Sequence, residues 1–428
     1  MKSFWIVLIL LPAVASASTI NVIRVEGPIG VVISHFILDE IARAEDEGAV
    51  CLIIEIDTPG GLDTAMRDII QAILGSRLPI VVYVSPSGAR CASAGVFIAM
   101  SADIVAMCPG TSIGAAHPVT IGGGEVDEET LQKIVNDSAS YIMSLAAKRG
   151  RNVEWAEKAV RESETATAEE ALELGVVDII SESLDDLVRR LDGWKVDHAK
   201  GDTLRTAGAQ AKRIEMSLRY RLLRVLSDPN VAYLLLILGF YGLFFELANP
   251  GVIFPGVLGA IFLILAFFSF QMLPINYAGL LLIFLGIALF IAEIKVTSAG
   301  MLTAGGAISM FLGSLMLIKS PGPFLRISYR VIVPAVITTA AFFIFAVGAG
   351  LRAQRRKPVT GREGLIGEVG VAVTDIDGEG QAFIHGELWT VESSERIASG
   401  DQVEVTSIEG LRPRVRKVVS RDNLERGT

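Results

Sequence analysis

The sequence predicts a multidomain chain: an α/β domain on a largely parallel sheet, then a block of membrane helices, then a small all-β barrel. Three observations carry that prediction. Near-continuous Val/Ile/Leu runs alternate with helically spaced segments through the first half. Apolar segments of membrane-spanning length crowd between residues 231 and 352, and short alternating strands split by glycines fill the tail. Strands buried on both faces read as unbroken apolar runs, whereas half-exposed strands alternate.

The elements follow in chain order. Lys2, an apolar stretch at residues 4–14 and the small residues Ala15-Ser16-Ala17 make an export signal. Residues 1–17 are therefore expected to be removed, with the mature chain starting at Ser18. The stretch is shorter than the ~20 apolar residues a span requires, which weighs against an uncleaved anchor. Residues 18–193 form the α/β domain: 20–25, 51–56 and 80–84 read as strands, 36–45 and 128–148 as helices. Thr167 and Glu170 make a capping box for a further helix ending near Gly175. Residues 194–230 turn polar and read as a linker. It closes with arginines and leucines at helical spacing over 213–226, suited to a helix lying along the membrane surface.

Apolar segments at 231–247, 253–270, 277–291, 301–318 and 331–351 are each expected to cross the bilayer. An exported front domain and an odd number of crossings place the tail in the cytoplasm of a cell with a multi-pass inner-membrane protein. Arg352, Arg355, Arg356 and Lys357 agree with that orientation, while Lys319, Arg326 and Arg330 oppose it. Glu246 and Glu293, near the ends of alternate spans, read as solvated or snorkelling groups. Residues 358–421 carry short strands enough for an OB-like closed barrel. Arg412, Arg414 and Arg416 alternate on one of its strands, which puts them on a single solvated face.

A net charge of −9 excludes nucleic acid as the main partner, since phosphate binding needs a basic surface. The barrel also lacks the aromatic platform on which bases stack. Cys51, Cys91 and Cys108 lie in apolar runs and read as small buried side chains. No metal-ligand spacing occurs, and no cofactor is expected.

Two glycine-marked turns carry the chemistry. Asp57-Thr58-Pro59-Gly60-Gly61 follows a buried strand and precedes a helix, so backbone N–H groups can face a ligand closely. Ala92-Ser93-Ala94-Gly95 follows the next strand, with Ser93 where a helix begins. Its hydroxyl would sit at the positive end of the helix dipole, beside N–H groups able to hold an oxyanion. The competing account is an ordinary serine N-cap.

On Glu55-Ile56-Asp57-Thr58-Pro59-Gly60-Gly61, Ala92-Ser93-Ala94-Gly95, Gly150-Arg151-Asn152, the run from Phe245 to Gly251 and Gly386-Glu387-Leu388-Trp389, the chain resembles the long-form NfeD family of membrane-bound ClpP-class serine proteases. The resemblance covers essentially the whole mature chain. It implies a ClpP/crotonase-like spiral domain, Ser93 as nucleophile, the N–H groups of Gly61 and Ala94 as oxyanion hole with Gly60 beside them, and a homo-oligomer. It also implies an extended hydrophobic polypeptide as substrate and a stomatin- or flotillin-type (SPFH) membrane protein as partner. The family's lysine base falls at Met143, which cannot accept a proton. Three readings of the base stay open: His117, 24 residues after Ser93 as in ClpP itself; Lys133 or Lys148 on the long helix; or no base, the domain being an inert scaffold. A crotonase-type acyl-CoA activity is disfavoured, because export separates the domain from CoA.

Overall fold

The structure, a computed structural model, describes residues 18–119, 127–196, 203–249, 251–296, 298, 300–319, 326–354 and 364–418. The expected export signal at 1–17 lies outside the described residues.

The front domain opens with β1 (Thr19–Glu26), α1 (Val31–Asp46), β2 (Leu52–Asp57), α2 (Asp63–Gly75) and β3 (Ile80–Val84). It continues with β4 (Arg90–Ala92), α3 (Ala94–Ser101), β5 (Ile104–Met107), β6 (Ser112–Gly114), α4 (Glu128–Lys148) and α5 (Val153–Arg161). It closes with β7 (Thr165–Thr167), α6 (Ala168–Glu173), β8 (Ile179–Ile180), α7 (Leu184–Arg190), β9 (Gln210–Ile214) and α8 (Leu218–Leu226). Six strands form one parallel sheet in the order β8-β5-β3-β2-β1-β9, and β4-β6-β7 form a small second sheet. Side chains alternate across the large sheet: Ile54, Ile56, Val82 and Val84 enter one core, Ile53, Val81, Tyr83 and Ile104 the other. With both faces covered, these strands read as unbroken apolar runs. The long helix α4 starts where Asp127 caps it, accepting from the Thr130 N–H at 2.8 Å. Thr167 and Glu170 form the reciprocal capping box of α6.

The sheet does not end where the sequence turns polar. β9 lies in the segment read as linker, and it adds to β1 as an edge strand with its side chains largely exposed. Ion pairs hold it: Arg213 grips Glu55 through two bonds of 3.1 and 3.2 Å, and Lys212 meets Glu47 at 3.2 Å. An edge strand with only one neighbour needs no apolar run, so periodicity does not reveal it.

The apolar segments fold as α9 (Pro229–Ala248), α10 (Ile253–Phe270), α11 (Tyr277–Lys295), α12 (Met301–Met316) and α13 (Tyr329–Gln354). Among the described residues α9, α10 and α11 are long and apolar enough to cross a bilayer; α12 and the apolar part of α13 are shorter than that. The pairs α9–α10 and α11–α12 are built alike. A Cβ on Gly259 would lie 2.7 Å from the Gly239 carbonyl oxygen, and one on Gly306 would lie 3.0 Å from that of Gly286. Small residues thus let the backbones meet, the usual means of packing helices where lipid removes the hydrophobic drive.

The glutamates differ from the solvated reading. Glu293 is buried and accepts from Ser298 Oγ at 2.7 Å and from the Gly300 N–H at 3.1 Å. Glu246 is half-buried, its carboxylate against Gly256.

The tail strands β10 (Val369–Ala372), β11 (Ile376–Ile384), β12 (Glu387–Ile397), β13 (Gln402–Glu409) and β14 (Arg412–Lys417) close into a barrel in the order β10-β11-β12-β14-β13. Its core gathers Ile376, Ile384, Val391, Ile397, Val403 and Val405. Arg412, Arg414 and Arg416 alternate outward on β14 and pair with Glu392, Glu409 and Glu404.

Candidate active site

Backbone hydrogen bonds lace the two glycine turns together. The Thr58 N–H donates to the Arg90 carbonyl at 2.7 Å, and the Ala92 N–H donates to the Thr58 carbonyl at 3.0 Å. The Arg90 N–H donates to the Asp57 carboxylate at 3.1 Å. Inside the turn, the Thr58 hydroxyl accepts the Gly60 N–H at 3.0 Å. Gly61 is pinned against the start of α1: Ile29 donates to the Gly60 carbonyl, and Leu62 donates to that of Ile29, each at 2.8 Å.

These contacts leave no room for side chains. A Cβ on Gly60, whose φ is 110°, would fall 2.5 Å from Ser93 Cβ and 2.9 Å from its Oγ. A Cβ on Gly61 would fall 2.0 Å from the Ile29 carbonyl oxygen. Gly60, Gly61, Ser93 and Ala94 therefore share one site. Among the described residues, neither the Gly61 N–H nor the Ala94 N–H has a protein acceptor; Ala94 is the first residue of α3, whose opening N–H groups have none within the helix.

Ser93 is not the N-cap that its position suggests. A capping serine has extended backbone and bonds the helix N–H groups with its own oxygen. Ser93 instead has φ 52° and ψ −118°, and its side chain makes no capping bond. Its N–H is shared between the carbonyls of Gly114 at 3.3 Å and Ala115 at 3.2 Å, and Ala115 itself has φ 53°. Side chains in such conformations cost of order 1–3 kcal/mol each and persist only where the surroundings impose them. Together the parts form a hydroxyl on a strained strand-to-helix turn, flanked by two unclaimed N–H groups. That arrangement can present a nucleophile and bind a developing oxyanion.

His117 lies three residues beyond the end of β6. Its Nδ1 lies 2.8 Å from the Val160 carbonyl oxygen. A carbonyl only accepts, so Nδ1 is the donor in this contact, and in the neutral ring Nε2 is the nitrogen that can accept a proton. No hydrogen bond joins His117 to Ser93 among the described residues. Met143 is half-buried on α4, Lys148 is exposed, and Lys133 is exposed and paired with Glu129 at 2.7 Å. Burial pushes the Cys91 thiol up and the Cys51 thiol up to about 12, so both are inert fillers.

Sequence reasoning missed the residues that hold the far end of the site helix. The Arg151 guanidinium, buried, donates to the carbonyls of Met100 at 3.1 Å and Ala102 at 2.9 Å, and to Asp178 at 2.7 Å. Arg149 donates to the Ser101 carbonyl at 2.8 Å and to Asp103 at 2.6 Å. Two arginines flanking Gly150 thus satisfy carbonyls at the end of α3, the helix that Ser93 immediately precedes. The available signal was the Gly150-Arg151-Asn152 motif itself, in which sequence reasoning gives the arginine no role.

Comparison with known proteins follows the same three-part order. The description "NfeD1b, N-terminal domain" matches residues 19–197, "NfeD integral membrane domain" residues 230–349, and "NfeD-like C-terminal, partner-binding domain" residues 362–417. A membrane-bound protease of Pyrococcus horikoshii is 36% identical over 385 residues, 87% of each chain. Membrane protein NfeD1b of Bacillus subtilis is 28% identical over 441 residues, 95% of each chain. Among solved structures, a lysine-to-alanine variant of the N-terminal part of a membrane-bound stomatin-specific protease, in complex with a substrate peptide, is 32% identical. It covers 49% of this chain and 97% of its own, with a TM-score of 0.46.

Proposed function

Because the chain belongs to the NfeD family, with a front domain homologous to a membrane-bound protease, we propose that it is a membrane-anchored serine endopeptidase acting on extended hydrophobic polypeptide. Ser93 Oγ attacks the scissile carbonyl while His117 Nε2 takes its proton. The N–H groups of Gly61 and Ala94 hold the resulting oxyanion. Collapse of the tetrahedral intermediate breaks the C–N bond, and the histidine returns the proton to the leaving amine. Water then enters by the same route in reverse and frees the enzyme. The Ser93–His117 hydrogen bond forms with substrate in place, as catalytic contacts often tighten only in the complex.

The observation that carries this reading is the backbone of Ser93, strained and unused as a cap. A fluorophosphonate probe tests it: the full-length protein should label, and Ser93→Ala should not. Well-folded wild-type protein that fails to label would overturn the peptidase.

A second reading, a non-catalytic assembly factor for a stomatin- or flotillin-type membrane protein, is favoured by a separate feature of the barrel. Val371 on β10 pairs with Phe383 on β11, which pairs with Leu388 on β12, and all three are exposed. Three neighbouring strands therefore carry an apolar band facing outward, in the domain whose family description is partner-binding. The two readings are compatible, since the band and Ser93 belong to different domains.

A further inference from the structure

Helix α8 has three faces. Tyr220 and Arg224, one turn apart, point to the front domain: the Tyr220 ring meets Phe36 of α1 edge-on at 5.4 Å, its hydroxyl bonds Asp39, and Arg224 donates to the Glu26 carbonyl at 2.7 Å. Leu218, Leu222 and Val225 lie on the opposite face, 72%, 57% and 55% exposed. Their spacing of four and three residues makes one continuous apolar stripe. Arg219 and Arg221 fall on either side of it, as 100° per residue requires.

What lies against the stripe follows from what comes next in the chain. α8 ends at Leu226, and Asp228 already caps α9, accepting the Asn230 N–H at 2.7 Å. The stripe therefore ends about one turn before the start of a candidate membrane span. The other helix ends on this side mark the same level. The Ser328 N–H donates to the Asn230 side chain at 2.8 Å, so α13 begins beside α9. The Asn276 N–H donates to the Leu317 carbonyl at 2.7 Å, which sets the start of α11 against the end of α12. Tyr277 and Tyr329, opening α11 and α13, are strongly exposed, as expected of residues anchored at a membrane–water boundary.

We propose that α8 lies in the surface of the phospholipid bilayer, with Leu218, Leu222 and Val225 sunk toward the acyl chains and Arg219 and Arg221 among the headgroups. The front domain is thereby seated on the membrane. The seating reaches the site by a short path, because α1, gripped by Tyr220, begins two residues after Ile29, whose backbone brackets Gly61. The arrangement also accounts for basic residues such as Arg330 on the side of the membrane helices where α8 lies, where a topology signal alone does not want them. Their role there is contact with headgroups. The seating stands whether or not Ser93 is catalytic.

Spin labels on the full-length protein in phosphatidylcholine/phosphatidylglycerol nanodiscs test the proposal. Cys51, Cys91 and Cys108 are buried, so introduced cysteines label selectively. In separate Leu222→Cys and Val225→Cys proteins, relaxation by oxygen relative to a water-soluble nickel chelate should exceed that in Lys212→Cys, on the exposed edge strand, by about threefold or more, because a label sunk in the acyl boundary meets oxygen and excludes the chelate. Equal ratios at the three sites would overturn the proposal, as the stripe would then be in water. Strong spin–spin broadening at Leu222→Cys that persists when lipid is increased tenfold would overturn it differently, identifying a second copy as the occupant. A thermal melt matching wild type guards against a misfolded variant, and Val225→Cys serves as the independent repeat.

Discussion

Gly60→Ala isolates the site from the fold. The added Cβ would stand 2.5 Å from Ser93 Cβ and 2.9 Å from Oγ. Carbon pairs settle at ~3.5–4.0 Å, so about 1 Å or more must open between the turn and the serine. A displacement of about 1 Å at a reacting group costs on the order of 100-fold in rate. The backbone adds a separate cost, since φ at Gly60 is 110°. A side chain there is strained by about 1–3 kcal/mol, which lowers the melting temperature without abolishing the fold. The assay is the rate of fluorophosphonate labelling alongside a thermal melt, with Gly61→Ala as contrast. There the Cβ would strike the Ile29 carbonyl oxygen at 2.0 Å, so stability should fall more than at Gly60. A Gly60→Ala protein that is folded and labels within about threefold of wild type would refute the reasoning, because the tight contact with Ser93 would then not matter to its reactivity.

Arg151→Ala should destabilise the front domain by about 3–5 kcal/mol, because Asp178 and the carbonyls of Met100 and Ala102 lose a buried partner, and its melting transition should fall by several degrees or more. Acid should loosen the β9 edge: hydrogen bonds from Asn21, Arg43 and Lys212 hold the Glu47 carboxyl down to about 2. A depressed folded-state value gives stability that is present above the ordinary 4.5 and is lost as pH falls toward 2, so exchange of β9 amides should rise across that window, and Glu47→Gln should remove the dependence. On the barrel, Phe383→Glu should abolish co-purification with a stomatin-type partner while leaving the barrel's own melt within about 0.5 kcal/mol of wild type, since the side chain is exposed.

Most of the architecture was legible because it rests on local rules. Helix α4 announces itself through its helical spacing, α6 through its capping box, and β2 and β3 through unbroken apolar runs. Failures came where a residue's partner is remote in sequence or its backbone is unusual. β9 is polar because its stability comes from pairing with β1 and from ion pairs to Glu47 and Glu55, none of which a window of neighbours contains. Arg151 is legible only as part of the Gly150-Arg151-Asn152 motif, and its role under α3 depends on carbonyls about 50 residues away in the chain. Ser93 was found as a candidate, but its strain was not, since composition does not encode φ at a non-glycine residue. Glu293 shows the same limit: the position near a helix end suggested water, whereas Ser298 and Gly300 fold back to satisfy it.

In the proposed mechanism, with methionine at position 143, proton transfer falls to His117, and the contact with Val160 bears on how well it could serve. In a Ser-His-Asp triad the carboxylate does two things: it fixes the tautomer and it stabilises the imidazolium formed during attack. The Val160 carbonyl, 2.8 Å from Nδ1, does the first and supplies only a dipole for the second. The tautomer error that costs about 10⁴ in a triad with its aspartate changed to asparagine is thus avoided, while the charge stabilisation is weaker. The expected enzyme acylates slowly but still depends on the imidazole. His117→Ala should then lower the labelling rate by about 10²–10⁴, the range of a positioned general base. If His117→Ala labelled at the wild-type rate, the residual reactivity of Ser93 would belong to the strained turn and its two N–H groups alone, and the front domain would be a peptide-holding surface rather than a hydrolase.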